Sequence, residues 1–220
     1  MSGRYVVKEV FYSLQGEGVR AGTPNVFVRF AGCNLNCRIE TRGFDCDTDF
    51  VGGEQLSAQE LHDLMASLWP RDHASERWVV MTGGEPCLQL DQPLVDFLHV
   101  AGWKIAIETN GTICPPRRLD WITVSPKGDG KPALMDCDEV KYVLCKGKEP
   151  PAVPALNAKH WLVSPAFALQ PCTVMFPEGG SGTSFIHAPQ NGSLEWCVEV
   201  VRRDPRWRLS VQQHKAWGVP

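Results

Sequence analysis

A chain of 220 residues with 43% hydrophobic and 21% charged residues has the composition of an ordinary soluble globular protein, long enough to bury roughly 70% of the surface its unfolded form exposes. A net charge of −3 without a long run of Lys or Arg argues against nucleic acid or an anionic membrane as a partner, and no stretch approaches the length of apolar sequence that spans a bilayer. The N-terminus MSGRYVVKEV lacks the pattern of a secretory signal, and nine cysteines, an odd number, do not form a disulfide framework; a reducing, cytoplasmic setting is expected.

Short β-rich runs recur along the chain, each followed by polar or glycine-rich sequence. In order they are NVFVRFAG, RWVVMTGG, WKIAIETNG, WITVSPKG, EVKYVL, HWLVSP, SFIHAP and WRLSVQQH, and each predicts a strand. Between the first two, SAQELHDLMASLWP predicts a helix: Ser57 and Glu60 form a capping box, Leu61, Leu64, Met65 and Leu68 share a face, and Pro70 ends the pattern. QPLVDFLHVAG, with Gly102 as its stop, and GSLEWCVEVVRRDP predict two more. Strands alternating with helices imply crossover connections and a largely parallel sheet. The proline-rich stretch from Pro115 to Pro171 carries little helical periodicity, so the helical layer is expected to be reduced, in one domain spanning residues 1–220.

Four strand ends stand out: MTGGEP, IETNG, VSPK and HAPQ. In parallel α/β folds reactive groups gather at the carboxyl edge of the sheet, so four such ends suggest a shared cleft. Directly after NVFVRFAG lie Cys33, Cys37 and Cys46, spaced C-x3-C-x8-C. A closed structural zinc site wants four protein ligands and no second cysteine pair follows, whereas a 4Fe-4S cluster held by three thiolates keeps one iron open for a substrate or cofactor. Zinc completed by a remote His, and three unligated loop cysteines, are the other readings of the trio.

FYSLQGEG, FVRFAGCNLNC, CDTDF, VVMTGGEP, IETNGT, TVSPK and RLSVQQHK together resemble the radical S-adenosylmethionine enzymes and, within them, the 7-carboxy-7-deazaguanine synthases of queuosine and 7-deazapurine biosynthesis. The resemblance covers nearly the whole chain, and it departs from the common C-x3-C-x2-C spacing in the longer Cys37 to Cys46 segment. It implies an incomplete TIM-like barrel of mostly parallel strands, α/β in class. It also implies a lyase that converts 6-carboxy-5,6,7,8-tetrahydropterin to 7-carboxy-7-deazaguanine with loss of ammonia, through a 5′-deoxyadenosyl radical formed from S-adenosylmethionine at the cluster. A flavodoxin or ferredoxin as electron donor and a homodimer belong to the same expectation.

The resemblance gives each polar motif a role. Gly83, Gly84, Glu85 and Pro86 would form the turn against the methionine end of the cofactor, and Gly83 and Gly84 would let backbone approach it closely. Glu108 and Asn110, with Ser125, Pro126 and Lys127, would meet its ribose and adenine, and Gln190 in HAPQNG would stand where the family has a further cofactor contact. Gln15, Gly16 and Glu17 would face the aminopyrimidinone edge of the pterin, Arg29 its carboxylate, and Thr82 and His214, the latter in the final strand, the same pocket. Thr48 is implied as a Mg2+ ligand and Pro220 as a pterin contact. A radical activase of a glycyl-radical enzyme would share the cysteines and GGEP but has no use for LQGEG; a zinc-binding interaction module would need no electron donor.

Overall fold

The computed structural model describes residues 3–46, 48–70, 76–128, 131–175 and 181–220. Among these residues the main sheet has nine strands: β1 (Arg4–Leu14), β2 (Pro24–Phe30), β3 (Glu54–Ser57), β4 (Arg77–Gly83), β5 (Trp103–Thr109), β6 (Trp121–Val124), β7 (Asp136–Leu144), β8 (Asn157–Pro165) and β11 (Trp207–Leu209). They lie in the order β11-β8-β7-β6-β5-β4-β2-β1-β3. Every pairing from β11 to β2 is parallel, and β1 runs antiparallel to both β2 and β3. This is a partial barrel of parallel strands, closed at one edge by antiparallel additions.

Alternation along each strand sends apolar residues to one face and polar residues to the other. On the outer face Val26, Val28 and Phe30 of β2, Val79 and Met81 of β4, and Ile105 and Ile107 of β5 are fully buried. They meet Leu61 and Met65 of α2 (Ala58–Leu68) and Leu94, Val95 and Leu98 of α3 (Gln92–Val100), all without solvent exposure. Each such side chain contributes about 1.5–3 kcal/mol by burial. A smaller cluster packs Cys197 and Val200 of α4 (Ser193–Arg203) on Leu144, Val163 and Trp207. The other face carries Arg29, Thr82, Glu108, Thr123, Glu139, Lys141 and Ser164, and strand register places them side by side: Arg29 pairs with Thr82, Glu108 with Thr123, and Thr123 with Glu139.

The three expected helices form with the expected punctuation. Glu60 N donates to Ser57 Oγ at 3.2 Å while Ser57 N donates to Glu60 Oε2 at 2.7 Å, the reciprocal capping box. Asp91 caps α3 by accepting from Leu94 N, and Tyr5 OH donates to the same Asp91 oxygen at 2.9 Å, tying the helix start to β1.

Three expectations need correction. β1 is an eleven-residue strand that the alternation rule misses, because its register slips between Val7 and Glu9 and the bulge puts the charged pair Lys8-Glu9 where period 2 would have one residue. SFIHAP is a strand but not of the main sheet: among the described residues β10 (Ser181–Pro189) pairs with β9 (Phe167–Met175) alone, as a separate antiparallel sheet. WRLSVQQH stops as a strand at Leu209, and Gln213–Trp217 form the short helix α5, so His214 is helical and does not belong to a final strand. Among the described residues no helix is long and apolar enough to cross a membrane.

Candidate active site

At the end of β2 the chain turns into the cysteine loop, anchored where Gly32 N donates to Phe50 O at 2.9 Å. The long Cys37 to Cys46 segment closes on itself at its base, because Cys46 N donates to Cys37 O at 3.3 Å. That bond makes the second and third cysteines neighbours despite the residues between them. Within the excursion lies α1 (Ile39–Arg42), whose Ile39 N donates to Asp45 Oδ1 at 3.0 Å. Gly43 O, just past it, accepts from Gln190 Nε2 at 2.7 Å and from Cys145 Sγ at 3.1 Å. Cys33, Cys37 and Cys46 all rim one cleft. Burial pushes the Cys33 thiol up from its ordinary value, Leu35 N pulls it down by donating to the sulfur, and Glu85, Cys37 and Cys46 raise it further. Among the described residues no three His, Cys, Asp or Glu side chains converge as they would on a single ion.

The GGEP turn follows β4 and backs the cysteine loop. A Cβ on Gly83, whose φ is +127°, would stand 2.2 Å from Phe30 O, and one on Gly84 would stand 2.1 Å from Gly32 O and 2.7 Å from Cys33 Cβ. The space these glycines leave is therefore filled by the end of β2 and the first cysteine, although both also border the cleft. Glu85 and Pro86 do not border it. Glu85 has no exposed surface; its carboxylate accepts from Thr109 Oγ1 at 2.7 Å, Asn110 N at 2.8 Å and Cys87 N at 3.0 Å. It splices the turn after β4 to the end of β5. Pro86 is buried at the start of the 3-10 turn Pro86–Leu88.

Glu108, Asn110, Ser125 and Lys127 line the same cleft with Thr82. Asn110 Nδ2 donates to Asn34 Oδ1 at 3.0 Å, and its Oδ1 accepts from Thr112 N at 2.9 Å, so this side chain steadies the cysteine loop as well as its own turn. Lys127 Nζ stands 5.2 Å from the Phe44 ring centre. Pro126 faces a neighbouring cavity with Arg42 and Leu156, and Gln190 faces Gly43 O rather than the cleft. The expected fourth strand end, HAPQ, closes a strand of the separate hairpin and not of the main sheet, and Gln190 N donates to Ala166 O, just past β8, at 2.7 Å.

A second cavity holds Gln15, Gly16, Arg29, His214 and Pro220. Both cavities are lined by Glu17, Thr48, Thr82, Glu108, Lys141 and Gln212, so they meet. Gly16 is fixed by its neighbour: a Cβ there would stand 2.1 Å from His214 Nδ1, and Gln213 N donates to Gly16 O at 2.9 Å, docking α5 on the LQGEG loop. Ser13 Oγ donates to Pro220 O at 2.9 Å. Arg29 Nε meets Glu9 Oε1 at 2.5 Å, its cross-strand partner, and the guanidinium lies 5.9 Å from the Phe11 ring centre.

Two residues of β7 carry no motif in the sequence: Lys141, at the junction, and Glu139, buried beside it. Lys141 Nζ, on β7, meets Glu17 Oε2 at 2.5 Å and Glu108 Oε2 at 3.4 Å, and Gln15 Nε2 donates to Glu108 Oε1 at 3.2 Å. Two positions earlier on β7, Glu139 accepts from Val19 N and Thr123 Oγ1, each at 2.9 Å. Burial pushes the Glu108 carboxyl up to about 7 against the pull of Lys141, with Glu139 and Glu17 adding to the rise. Burial works against the charge on Lys141, but Glu108, Glu17 and Glu139 raise it well above the ordinary lysine value. In EVKYVL the alternation of Glu139 and Lys141 with apolar residues reads like a solvent-facing strand surface; only the turned-in polar face of neighbouring strands could have marked them.

A parallel partial barrel with a three-cysteine loop after its first parallel strand and a GGEP turn after the next is the architecture of the radical S-adenosylmethionine enzymes. A family model described as a 4Fe-4S single cluster domain matches residues 14–110. The 7-carboxy-7-deazaguanine synthase of Bradyrhizobium diazoefficiens is 43% identical, over 98% of this chain and 99% of its own, and that of Burkholderia multivorans is 44% identical over the same shares. In structure, the chain is similar to QueE from Escherichia coli, with a TM-score of 0.63 at 23% identity, covering 96% of this chain and 95% of that one. The chain belongs to the 7-carboxy-7-deazaguanine synthase family.

Proposed function

We propose that the protein converts 6-carboxy-5,6,7,8-tetrahydropterin to 7-carboxy-7-deazaguanine with loss of ammonia. The observation that carries this reading is the pair of joined cavities, one rimmed by three cysteines and the other by the LQGEG loop, Arg29 and His214. The donor set of the first, three soft thiols on one side, suits a 4Fe-4S cluster with one iron left for S-adenosylmethionine. When bound, that pair supplies the radical chemistry.

This chain's residues do the holding and the orienting. Cys33, Cys37 and Cys46 ligate the cluster. Asn110, Ser125 and Lys127 lie along the cleft beside it, placed for the ribose and adenine edges. Glu108, expected among them, is tied instead to Gln15 and Lys141 and belongs to the substrate end. There Gln15 and Glu17 offer an acceptor-rich edge to the aminopyrimidinone N–H groups, and Arg29, steadied through Nε by Glu9, turns its fork toward the substrate carboxylate. Thr48, which borders both cavities, would offer a hydroxyl oxygen to a Mg2+ at the substrate end, since Mg2+ prefers hard oxygen donors and keeps several waters. His214 and Pro220 close the far side. A flavodoxin or ferredoxin as reductant, a homodimer and a cytoplasmic setting complete the proposal; all nine cysteines being free of disulfides supports the last.

Anaerobic reconstitution with iron and sulfide tests the cluster: about four irons per chain and a brown protein support it, and a colourless protein that binds zinc alone overturns it.

A further inference from the structure

A lysine on the inward face of a strand needs a reason, because burying an ammonium costs free energy unless it is paired. Lys141 is 7% exposed and stands at the seam of the two cavities. We propose that Lys141 is a positioning residue for the substrate end of the cleft: its ammonium bridges Glu17 and Glu108, holds the two carboxylates toward the pterin and favours their ionised forms. The inference rests on the pterin reading of that cavity.

The geometry supplies three supports. The bridge joins the loop after β1 that carries Glu17 to the end of β5 that carries Glu108, alongside the direct bond from Gln15 of the same loop. The same strand pins the same loop again, through Glu139 to Val19 N, so β7 sets both the path of the loop and the charge state of its acid. Gln15 Nε2 takes the other oxygen of Glu108, which leaves the carboxylate fixed in orientation. Without that ammonium, burial and the like charges of Glu17 and Glu139 would push the Glu108 carboxyl further toward its protonated form.

The charged groups around Glu108 are Glu17 on the loop, Glu139 and Lys141 on β7, and Arg20 farther along the loop, whose guanidinium feels both Glu108 and Glu139. Arg29, His214 and Lys215 border the same cavity. Of these, Lys141 meets Glu108 directly. Burial pushes the Glu108 carboxyl up to about 7, a range in which its ionisation is open to measurement. An ionised acceptor binds N–H donors roughly twice as strongly as a neutral one, so substrate affinity in the parent should rise as pH rises through that value.

The test is the pH at which this change is centred. It is read as KM for 6-carboxy-5,6,7,8-tetrahydropterin across the neutral range, and without turnover as the midpoint of the Glu108 carboxyl carbon in a 13C NMR titration of substrate-free protein. Lys141→Met removes the cation and should move both midpoints upward by at least about one pH unit, with KM at neutral pH rising about tenfold and kcat falling less. Lys141→Arg, which keeps the charge, should stay near the parent. Should Lys141→Met fold poorly, the double variant with Glu17→Gln removes the like charge as well, and its NMR midpoint should fall back below that of the single variant. Equal midpoints in parent and Lys141→Met overturn the proposal, as does an NMR shift that KM does not follow. No binding or turnover of the pterin by the parent overturns the functional reading instead, and the NMR midpoints still decide whether Lys141 sets the ionisation of Glu108.

Discussion

Replacing Glu85 by Gln distinguishes a carboxylate that holds the fold from one that holds a cofactor. In the parent, Oε1 accepts from Thr109 Oγ1 and Cys87 N while Oε2 accepts from Asn110 N, and the side chain has no exposed surface. Gln is nearly isosteric, but it turns one oxygen into an NH2 group, and either orientation sets that group against a backbone N–H. A hydrogen bond to a charged acceptor contributes about 1.5–3 kcal/mol, and a buried donor left without an acceptor costs about 1–3 kcal/mol. Because water cannot reach the site to repair the loss, the substitution should cost about 2–4 kcal/mol of unfolding free energy. Urea denaturation of the cluster-free protein in reductant measures it, with no cofactor present to blur the result. A loss below about 0.5 kcal/mol, the range of an ordinary surface substitution, combined with weakened S-adenosylmethionine binding by the reconstituted protein, would refute the structural assignment.

Replacing Cys33, Cys37 or Cys46 singly by Ala should abolish the cluster in a folded chain, while Ala at Cys87, Cys114, Cys137, Cys145, Cys172 or Cys197 should leave it; iron analysis of all nine variants decides, and full iron in Cys37→Ala would show the wrong second ligand. Thr48→Ala should weaken the Mg2+ dependence of turnover more than the binding of S-adenosylmethionine, and an unchanged Mg2+ titration would remove Thr48 from the metal's shell. Gly16→Ala places a Cβ inside the His214 ring, so it should raise the KM for the pterin about tenfold or more with iron content unchanged, and pairing it with His214→Ala should add less than the sum of the two single effects. In the core, Leu98→Ala removes a side chain with no exposure beneath β5 and should cost about 2–5 kcal/mol in the same urea assay.

Where chemistry was written into local pattern, the sequence could be read. The capping box at Ser57, the stop at Gly102 and the strand ends after β4, β5 and β6 follow from rules that act within a few residues, and the structure has each of them. The place of the three cysteines after β2, on the rim of one cleft, was legible, but not the path of their loop, because the bond from Cys46 N to Cys37 O and the two donors on Gly43 O come from the excursion's own closure and from distant segments. The partners of Glu85 were hidden for a similar reason: a carboxylate in a glycine turn looks available to a ligand until the donors of β5 are set against it. Lys141 and Glu139 were invisible because alternation reports that two residues share a face, not which way that face turns. The bulge that hid β1 and the turn from β11 into α5 are departures from regular period that local pattern cannot foresee.

The central claim is that the two joined cavities hold a radical-generating cofactor and a pterin side by side. Its most direct measurement is anaerobic incubation of the reconstituted protein with reductant, S-adenosylmethionine, Mg2+ and 6-carboxy-5,6,7,8-tetrahydropterin, followed by mass analysis of the products. The account predicts 7-carboxy-7-deazaguanine, formed only when all components are present and lost in Cys46→Ala. Cleavage of S-adenosylmethionine by a cluster-loaded protein that leaves the pterin intact would contradict it.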